Sequence, residues 1–325
     1  MNVRTNITPA SAALALALIG CGGESTVAPP TDQLGRNLVA YASDRNGTFD
    51  VFLYDLNALI LYSLPGLNDN AAAERRPSLG SDAQVLAFAT DRASGTGDWD
   101  ILIYDLARSQ LAPTPLHLNS AGRDDEPAFT GNALALVFVR DTLGVRRLRY
   151  YNGVADVFRL LPGLDAPPDA SDWAPAPDMT GARIAFVSDR NGNPDVFVYD
   201  ATGDSLLDLP DLASDSTDTE PCLTRDGRYL AFASTRAGGA GGFDLYLYDL
   251  QTKALIALDA ALHTPADERN PTLSDDANVI SFESNRAGSL GPLDVWNYSR
   301  TNGSIGQGTS QSSSDTDVEP SLRWP

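Results

Sequence analysis

The stretch AFASTRAGGAGGFDLYLYDL, Ala231–Leu250, decides how this chain is read, because versions of it recur along the sequence. AYASDRNGTFDVFLYDL starts at Ala40, AFATDRASGTGDWDILIYDL at Ala87, AFVSDRNGNPDVFVYD at Ala185 and SFESNRAGSLGPLDVWNY at Ser281, with a weaker copy, VFVRDTLGVRRLRYYNG, at Val137. The equivalent aromatics Tyr41, Phe88, Phe138, Phe186, Phe232 and Phe282 lie 47, 50, 48, 46 and 50 residues apart. That period belongs to propellers and solenoids. In five copies a proline stands 11 residues before the aromatic: Pro77, Pro127, Pro175, Pro221 and Pro271.

Within a unit, Val51 and Leu53 alternate with Phe52 and Tyr54, which is strand periodicity, and Asp-Gly, Asn-Gly and Gly-rich clusters mark the turns. Four short strands A to D fit each unit. After the sixth unit comes DTDVEPSLRWP, a solitary A strand, whereas the first unit has clear B, C and D strands and a poor A region, PTDQLG. The C-terminal strand therefore completes blade one and closes a ring, leaving no unpaired inner edge. The expected fold is all-β: a six-bladed propeller of four-stranded antiparallel blades over residues 36–325.

The phrases E-P-x-L-(S/T)-x-D-G, A-F-x-S-x-R and D-(V/I/L)-(Y/F)-x-Y-D resemble the WD-like repeats of the TolB propeller family, over Arg36 to Pro325. The resemblance implies the fold and a binding role in the cell envelope. Family members also carry an N-terminal α/β domain that contacts partners; here a short tether precedes the first blade.

The N-terminus, MNVRTNITPASAALALALIGCGG, has one Arg, an apolar run from Ala12 to Ile19 and then small residues, the pattern of a secretory signal. Leu18-Ile19-Gly20-Cys21 resembles a bacterial lipobox, which assigns residues 1–20 to the signal, Cys21 to lipidation and 21–35 to a flexible tether. Gly22 after the lipidated residue points to the outer membrane, facing periplasm or cell surface, with the lipid as the sole membrane attachment. If Cys21 is lipidated, Cys222 has no disulfide partner, and in EPCLTRDG it reads as a small buried hydrophobe.

With 43 acidic against 23 basic side chains the formal charge is −20, which disfavours nucleic acid. The D-to-A and B-to-C connections emerge on one face of a propeller. That face is expected to crowd Asp124, Asp125, Glu126, Asp218, Glu220, Asp267, Glu268, Asp315, Asp317 and Glu319 around a central funnel that favours a cationic ligand. Arg45, Arg92, Arg190, Arg236 and Arg286 recur beside Asp50, Asp100, Asp195, Asp244 and Asp294, which suggests one structural salt bridge per B-to-C loop. In copy three both positions change together, to Thr142 and Arg147. The B-to-C loops of copies two, five and six are three residues longer than the others and are the first choice for partner contact.

Asp189, Asn191, Asn193 and Asp195, like Asp44, Asn46, Thr48 and Asp50, have the alternate-oxygen spacing of calcium loops, but no downstream Glu completes the pattern and Asx turns give the same letters. No cofactor is expected beyond this weak calcium option. His117 and His263 are the two histidines and G-x-S-x-G is absent, so neither triad nor soft-metal chemistry is indicated. The reading is a monomeric, non-catalytic envelope lipoprotein that binds a protein, peptide or cell-wall component. The alternatives are a glycosidase-like propeller using tunnel carboxylates or a calcium-assisted ligand-binding one.

Overall fold

The computed structural model describes residues 38–55, 58, 60–69, 71–80, 84–93, 96–115, 117–130, 135–164, 167–307 and 317–323. Cys21, the signal 1–20, the tether 21–35 and Asp315 lie outside these, as do the side chains of Asp317 and Glu319.

Blade one comprises β1 (Leu38–Ser43), β2 (Asp50–Asp55) and β3 (Ile60–Tyr62). Blade two is β4 (Glu74–Leu79), β5 (Val85–Thr90), β6 (Asp100–Asp105) and β7 (Gln110–Leu111). Blade three is β8 (Arg123–Phe129), β9 (Ala135–Thr142), β10 (Val145–Asn152) and β11 (Val157–Arg159). Blade four is β12 (Asp172–Pro177), β13 (Arg183–Ser188), β14 (Asp195–Asp200) and β15 (Ser205–Leu206). Blade five is β16 (Asp218–Leu223), β17 (Tyr229–Ser234), β18 (Asp244–Asp249) and β19 (Ala254–Ile256). Blade six is β20 (Glu268–Leu273), β21 (Val279–Ser284), β22 (Asp294–Ser299) and β23 (Ile305–Gln307). The last strand, β24 (Asp317–Arg323), pairs antiparallel with β1, so the chain's end supplies the innermost strand of its first blade and the sixfold ring closes as expected.

Each B strand is packed between neighbouring blades, which is why it reads as a continuous apolar run such as LAFA or IAFV. Val187, Val196 and Val198 of blade four meet Leu230, Phe232 and Tyr248 of blade five in one buried cluster, and Leu38, Ala40 and Leu53 meet Leu86, Phe88 and Tyr104 in another. The outer D strands are two or three residues long and carry most of the exposure.

The repeated proline marks a β-bulge. The A–B register shifts between Arg75 and Ser78, Asp125 and Ala128, Trp173 and Ala176, Thr219 and Cys222, and Arg269 and Thr272. Inside each bulge the residue before the proline has a positive φ: Arg76 at 53°, Glu126 at 53°, Ala174 at 50°, Glu220 at 54° and Asn270 at 46°. Proline has no N–H to offer a ladder, so it is tolerated where the bulge breaks the pairing. The bulge swings the preceding side chain towards the propeller axis.

At three seams the N–H two residues past the repeated proline stitches one inner strand to the next. Ser321 Oγ accepts the Leu79 N–H at 3.1 Å and Ser78 Oγ accepts the Phe129 N–H at 2.9 Å. Cys222 takes the same place in blade five, accepting the Leu273 N–H. Burial pushes its thiol up to about 11, the opposite of what a nucleophile needs.

Deleting residues from Asp317 onward leaves β1 an open inner edge and removes the Ser321–Leu79 stitch. The truncated chain is expected to lose its cooperative thermal transition and to elute as aggregate in size-exclusion chromatography.

Candidate functional site: the axial cavity and its arginine-lined mouth

Each inner strand carries an acid at its first residue, or in blade three at its second, and wherever that side chain is described it is buried: Glu74, Asp124, Asp172, Asp218 and Glu268 are each 0% exposed. Each takes one arginine. Arg92 meets Glu74 at 3.0 Å, Arg140 meets Asp124 at 2.6 Å, Arg190 meets Asp172 at 2.9 Å, Arg236 meets Asp218 at 2.8 Å and Arg286 meets Glu268 at 3.0 Å. The same guanidinium donates to the carbonyl of a buried leucine in the preceding D-to-A connection: Leu67, Leu118, Leu164, Leu212 or Leu262. It also stacks on the blade's own aromatics, for example Arg190 on Phe186 and Phe197 and Arg236 on Phe232 and Tyr246.

This corrects the pairing expected from the sequence. For Arg92, Arg190, Arg236 and Arg286 the carboxylate is the strand-A acid, and not Asp100, Asp195, Asp244 or Asp294. Arg45 donates to Ser43 Oγ at 3.0 Å and stacks on Tyr41 and Phe52, while Asp50 takes the Asn46 amide at 2.7 Å. The strand-C aspartates close their own loops instead. Asp100 accepts from Thr96 N at 2.5 Å, Asp244 from Ala240 N at 3.0 Å and Gly241 N at 3.2 Å, and Asp294 from Gly291 N at 3.1 Å.

Blade three shows why both sequence positions change together. Its B-to-C connection is a tight hairpin, Val145 facing Thr142, so there is no loop for an aspartate to close or an arginine to leave from. Arg140, standing where other blades have Ser or Thr, reaches Asp124 instead. Arg147 turns to the carbonyls of Ala170, Pro167 and Pro168.

The acidic face is corrected on the same grounds. Asp124, Asp218 and Glu268 are buried clamps; Asp125, 4% exposed, is bridged to Arg123; and Asp267 accepts the Phe243 N–H at 2.9 Å. Glu126 and Glu220 do face the axis, each with an arginine: Glu126 with Arg76, and Glu220 with Arg269 at 2.5 Å. Each also accepts the bulge N–H of the next blade, Glu126 from Ala174 at 2.5 Å and Glu220 from Asn270 at 2.8 Å. These bonds hold the positive-φ ring in place.

The six inner strands enclose an axial cavity of about 580 Å³. Four arginines, Arg76, Arg146, Arg225 and Arg269, and three carboxylates, Glu126, Glu220 and Asp275, are among its described lining residues. In a chain of charge −20, arginines outnumber carboxylates by one among the described lining residues. Cation–aromatic pairs stand across four blade seams, Arg75 over Phe49 at 4.4 Å, Arg123 over Trp99 at 4.8 Å, Arg146 over Trp173 at 4.0 Å and Arg269 over Phe243 at 4.2 Å, and of these residues Arg146, Trp173 and Arg269 line the cavity. These arginines and tryptophans were not singled out from the sequence; Arg75, Trp173 and Arg269 stand two residues before a repeated proline, whereas Arg123 and Arg146 share no repeat position.

No family model matches the chain. A protein TolB homolog of Chlorobaculum tepidum is 29% identical over 79 residues, 24% of this chain and 17% of that relative, so the match spans well under two thirds of its length. TolB from Acinetobacter baumannii superposes with a TM-score of 0.66 at 16% identity, covering 90% of this chain and 68% of that one. The chain shares the β-propeller fold of TolB. A puromycin-hydrolyzing peptidase of Mycobacterium tuberculosis shares the frame, at TM-score 0.56 and 15% identity over 79% of this chain and 41% of that one.

In this propeller the residues with calcium-loop spacing hydrogen-bond to one another and to the neighbouring connection. Asp189 Oδ1 accepts the Ser171 N–H at 2.6 Å, a stitch between B-to-C and D-to-A connections that Asp91, Thr235 and Asn285 repeat in their blades. Asn193 donates its amide to Asp195 at 3.1 Å and to the Ser216 carbonyl at 2.7 Å, and Asn191 also bonds Asp195. Among the described residues no group of three or more His, Cys, Asp or Glu side chains could hold a metal. His263 Nε2 lies 3.0 Å from the Leu245 carbonyl, and His117 is exposed.

Burial and the neighbouring Asp218 raise the Asp195 carboxyl, and burial raises Glu74 despite Arg92. A carboxyl raised in the folded state binds its proton more tightly there, so its contribution is full at low pH and is lost as pH rises from its ordinary value of 3.8 through the folded one. Asp195→Asn abolishes that loss. Urea unfolding at about pH 3.5 and 7 should show the variant gaining stability relative to wild type at the higher pH.

Arg236→Ala leaves Asp218 buried without its cation and is expected to cost about 3–5 kcal/mol. Arg108→Ala, which breaks the exposed Arg108–Asp105 pair, should cost under about 1 kcal/mol in the same urea titration.

Proposed function

We propose that this TolB-like propeller is a non-catalytic binding scaffold of the bacterial envelope, anchored through Cys21 and engaging a protein partner at the mouth of the axial cavity. One observation supports the reading: arginines stacked on Phe49, Trp99, Trp173 and Phe243 stand at four blade seams, with Arg146, Trp173 and Arg269 lining the axial cavity. Arginine and tryptophan dominate the energetics of protein interfaces, and side chains already held by stacking lose little freedom when a partner arrives. The cavity carboxylates support a non-catalytic role, because Glu126 and Glu220 are committed to arginines and to backbone N–H groups. A glycosidase needs a water-facing acid and base. Envelope placement draws on the TolB likeness and the lipobox; the described residues contain no helix long and apolar enough to cross a membrane.

The test uses the full chain expressed in its host, cross-linked and recovered from solubilised envelopes. The wild-type protein should fractionate with membranes and bring down a defined partner, Cys21→Ser should leave the membrane fraction, and Arg123→Ala should weaken partner recovery by roughly tenfold or more. Release of reducing ends from a polysaccharide panel, with no partner captured, would replace this reading with the glycosidase one.

A further inference from the structure

One guanidinium in the axial cavity has no carboxylate. Arg76 is bridged to Glu126, Arg269 to Glu220 and Arg225 to Asp275, whereas Arg146 makes no ion pair among the described residues. It is held by its face alone, stacked on Trp173 at 4.0 Å. The seam between blades three and four is reversed relative to the other seams that carry such a pair. At the seams of blades one and two and of blades five and six the inner strand supplies the cation and the preceding blade the aromatic, as in Arg75 over Phe49 and Arg269 over Phe243. Here the inner strand supplies Trp173, and the cation comes from β10 of the preceding blade.

A second feature lies beside it. The bulge position carries Arg76, Glu126, Glu220 and Asn270 in other blades but Ala174 in blade four, next to Trp173. The ring therefore has its smallest side chain where its uncompensated cation stands. Stacking occupies the flat face of a guanidinium and leaves the N–H edge, whose donors match two oxygens of a carboxylate.

We propose that Arg146, Trp173 and the space at Ala174 form a subsite for a single carboxylate group inside the axial cavity. The cavity's volume of about 580 Å³ suits a small ligand or the end of a chain. The overall charge of −20 disfavours polyanions, so the occupant carries one or two carboxylates and not a string of them. The subsite concerns a small acidic group and stands whether or not a protein docks at the mouth.

The experiment labels the four tryptophans, Trp99, Trp173, Trp296 and Trp324, with 5-fluorotryptophan and follows fluorine NMR, with Trp173→Phe assigning the reporting signal. Succinate and trialanine, which distinguish a free acid from a chain terminus, are titrated against succinamide and trialanine amide. At least one of the two acids should shift the Trp173 signal saturably, and neither amide should. Arg146→Gln should abolish the shift, and Arg146→Lys, keeping charge but losing the fork, should weaken binding about tenfold. Both variants should keep the wild-type thermal transition. No response to either acid, a response that survives Arg146→Gln in a folded protein, or a response to inorganic phosphate in place of the carboxylates would overturn the proposal.

Discussion

Blades two to six each depend on a single, largely buried arginine that satisfies three demands at once. Its edge neutralises the acid that opens the inner strand, one N–H ties the preceding connection through a leucine carbonyl, and its face lies on the blade's aromatics. Buried ion pairs gain little net stability over apolar replacements, because desolvating both charges is expensive. Their value here is geometric. A propeller blade contributes no edge-to-edge hydrogen bonds to its neighbour beyond a few stitches, so something directional must set where each blade begins relative to the last. The clamp does this: it fixes the inner-strand start, whose own N–H reaches back to the previous blade, as from Asp218 to the Pro194 carbonyl.

With the start of each inner strand fixed, the bulge two residues later becomes a consequence. The proline breaks the A–B ladder, the residue before it adopts a positive φ, and its side chain is delivered to the axis. Non-glycine residues in that region cost about 1–3 kcal/mol each, a strain that persists only where the surroundings determine it. Glu126 and Glu220 supply that determination by receiving the next bulge's N–H, so the ring around the cavity is coupled blade to blade. A side chain placed this way is held nearly as firmly as one in a core, which suits recognition.

The frame was legible in the sequence because repetition writes it several times: Phe88, Phe138, Phe186, Phe232 and Phe282 with their prolines gave blade count and phase, and the terminal EPSL gave ring closure. The ion pairs were misassigned for a physical reason. Arg190 and Asp195 are close in sequence and vanish together in blade three, yet what they share is a loop and not a bond. The true partner, Asp172, lies 18 residues upstream and is brought alongside only when two strands pair. The acidic face failed similarly, since a count of Asp and Glu in connections says nothing of how many are buried under arginine. The seam arginines were invisible because they do not recur at one repeat position: Arg75 and Arg269 share one, and Arg123 and Arg146 each come from elsewhere.

Blade three gathers these departures. Shortening its B-to-C loop to a hairpin removes the arginine that would have left from that loop, and Arg140 replaces it from within the strand. Arg146, next to this hairpin near the start of β10, lines the cavity, where Trp173 provides the aromatic. Because Arg140 already neutralises Asp124, Arg146 is released from any structural charge it would otherwise have to balance. A repeat protein is built from blades under one constraint, and specificity can arise where a blade meets that constraint by other means. In this chain the blade that does so is the one that places inside the cavity a cation with no ion pair among the described residues.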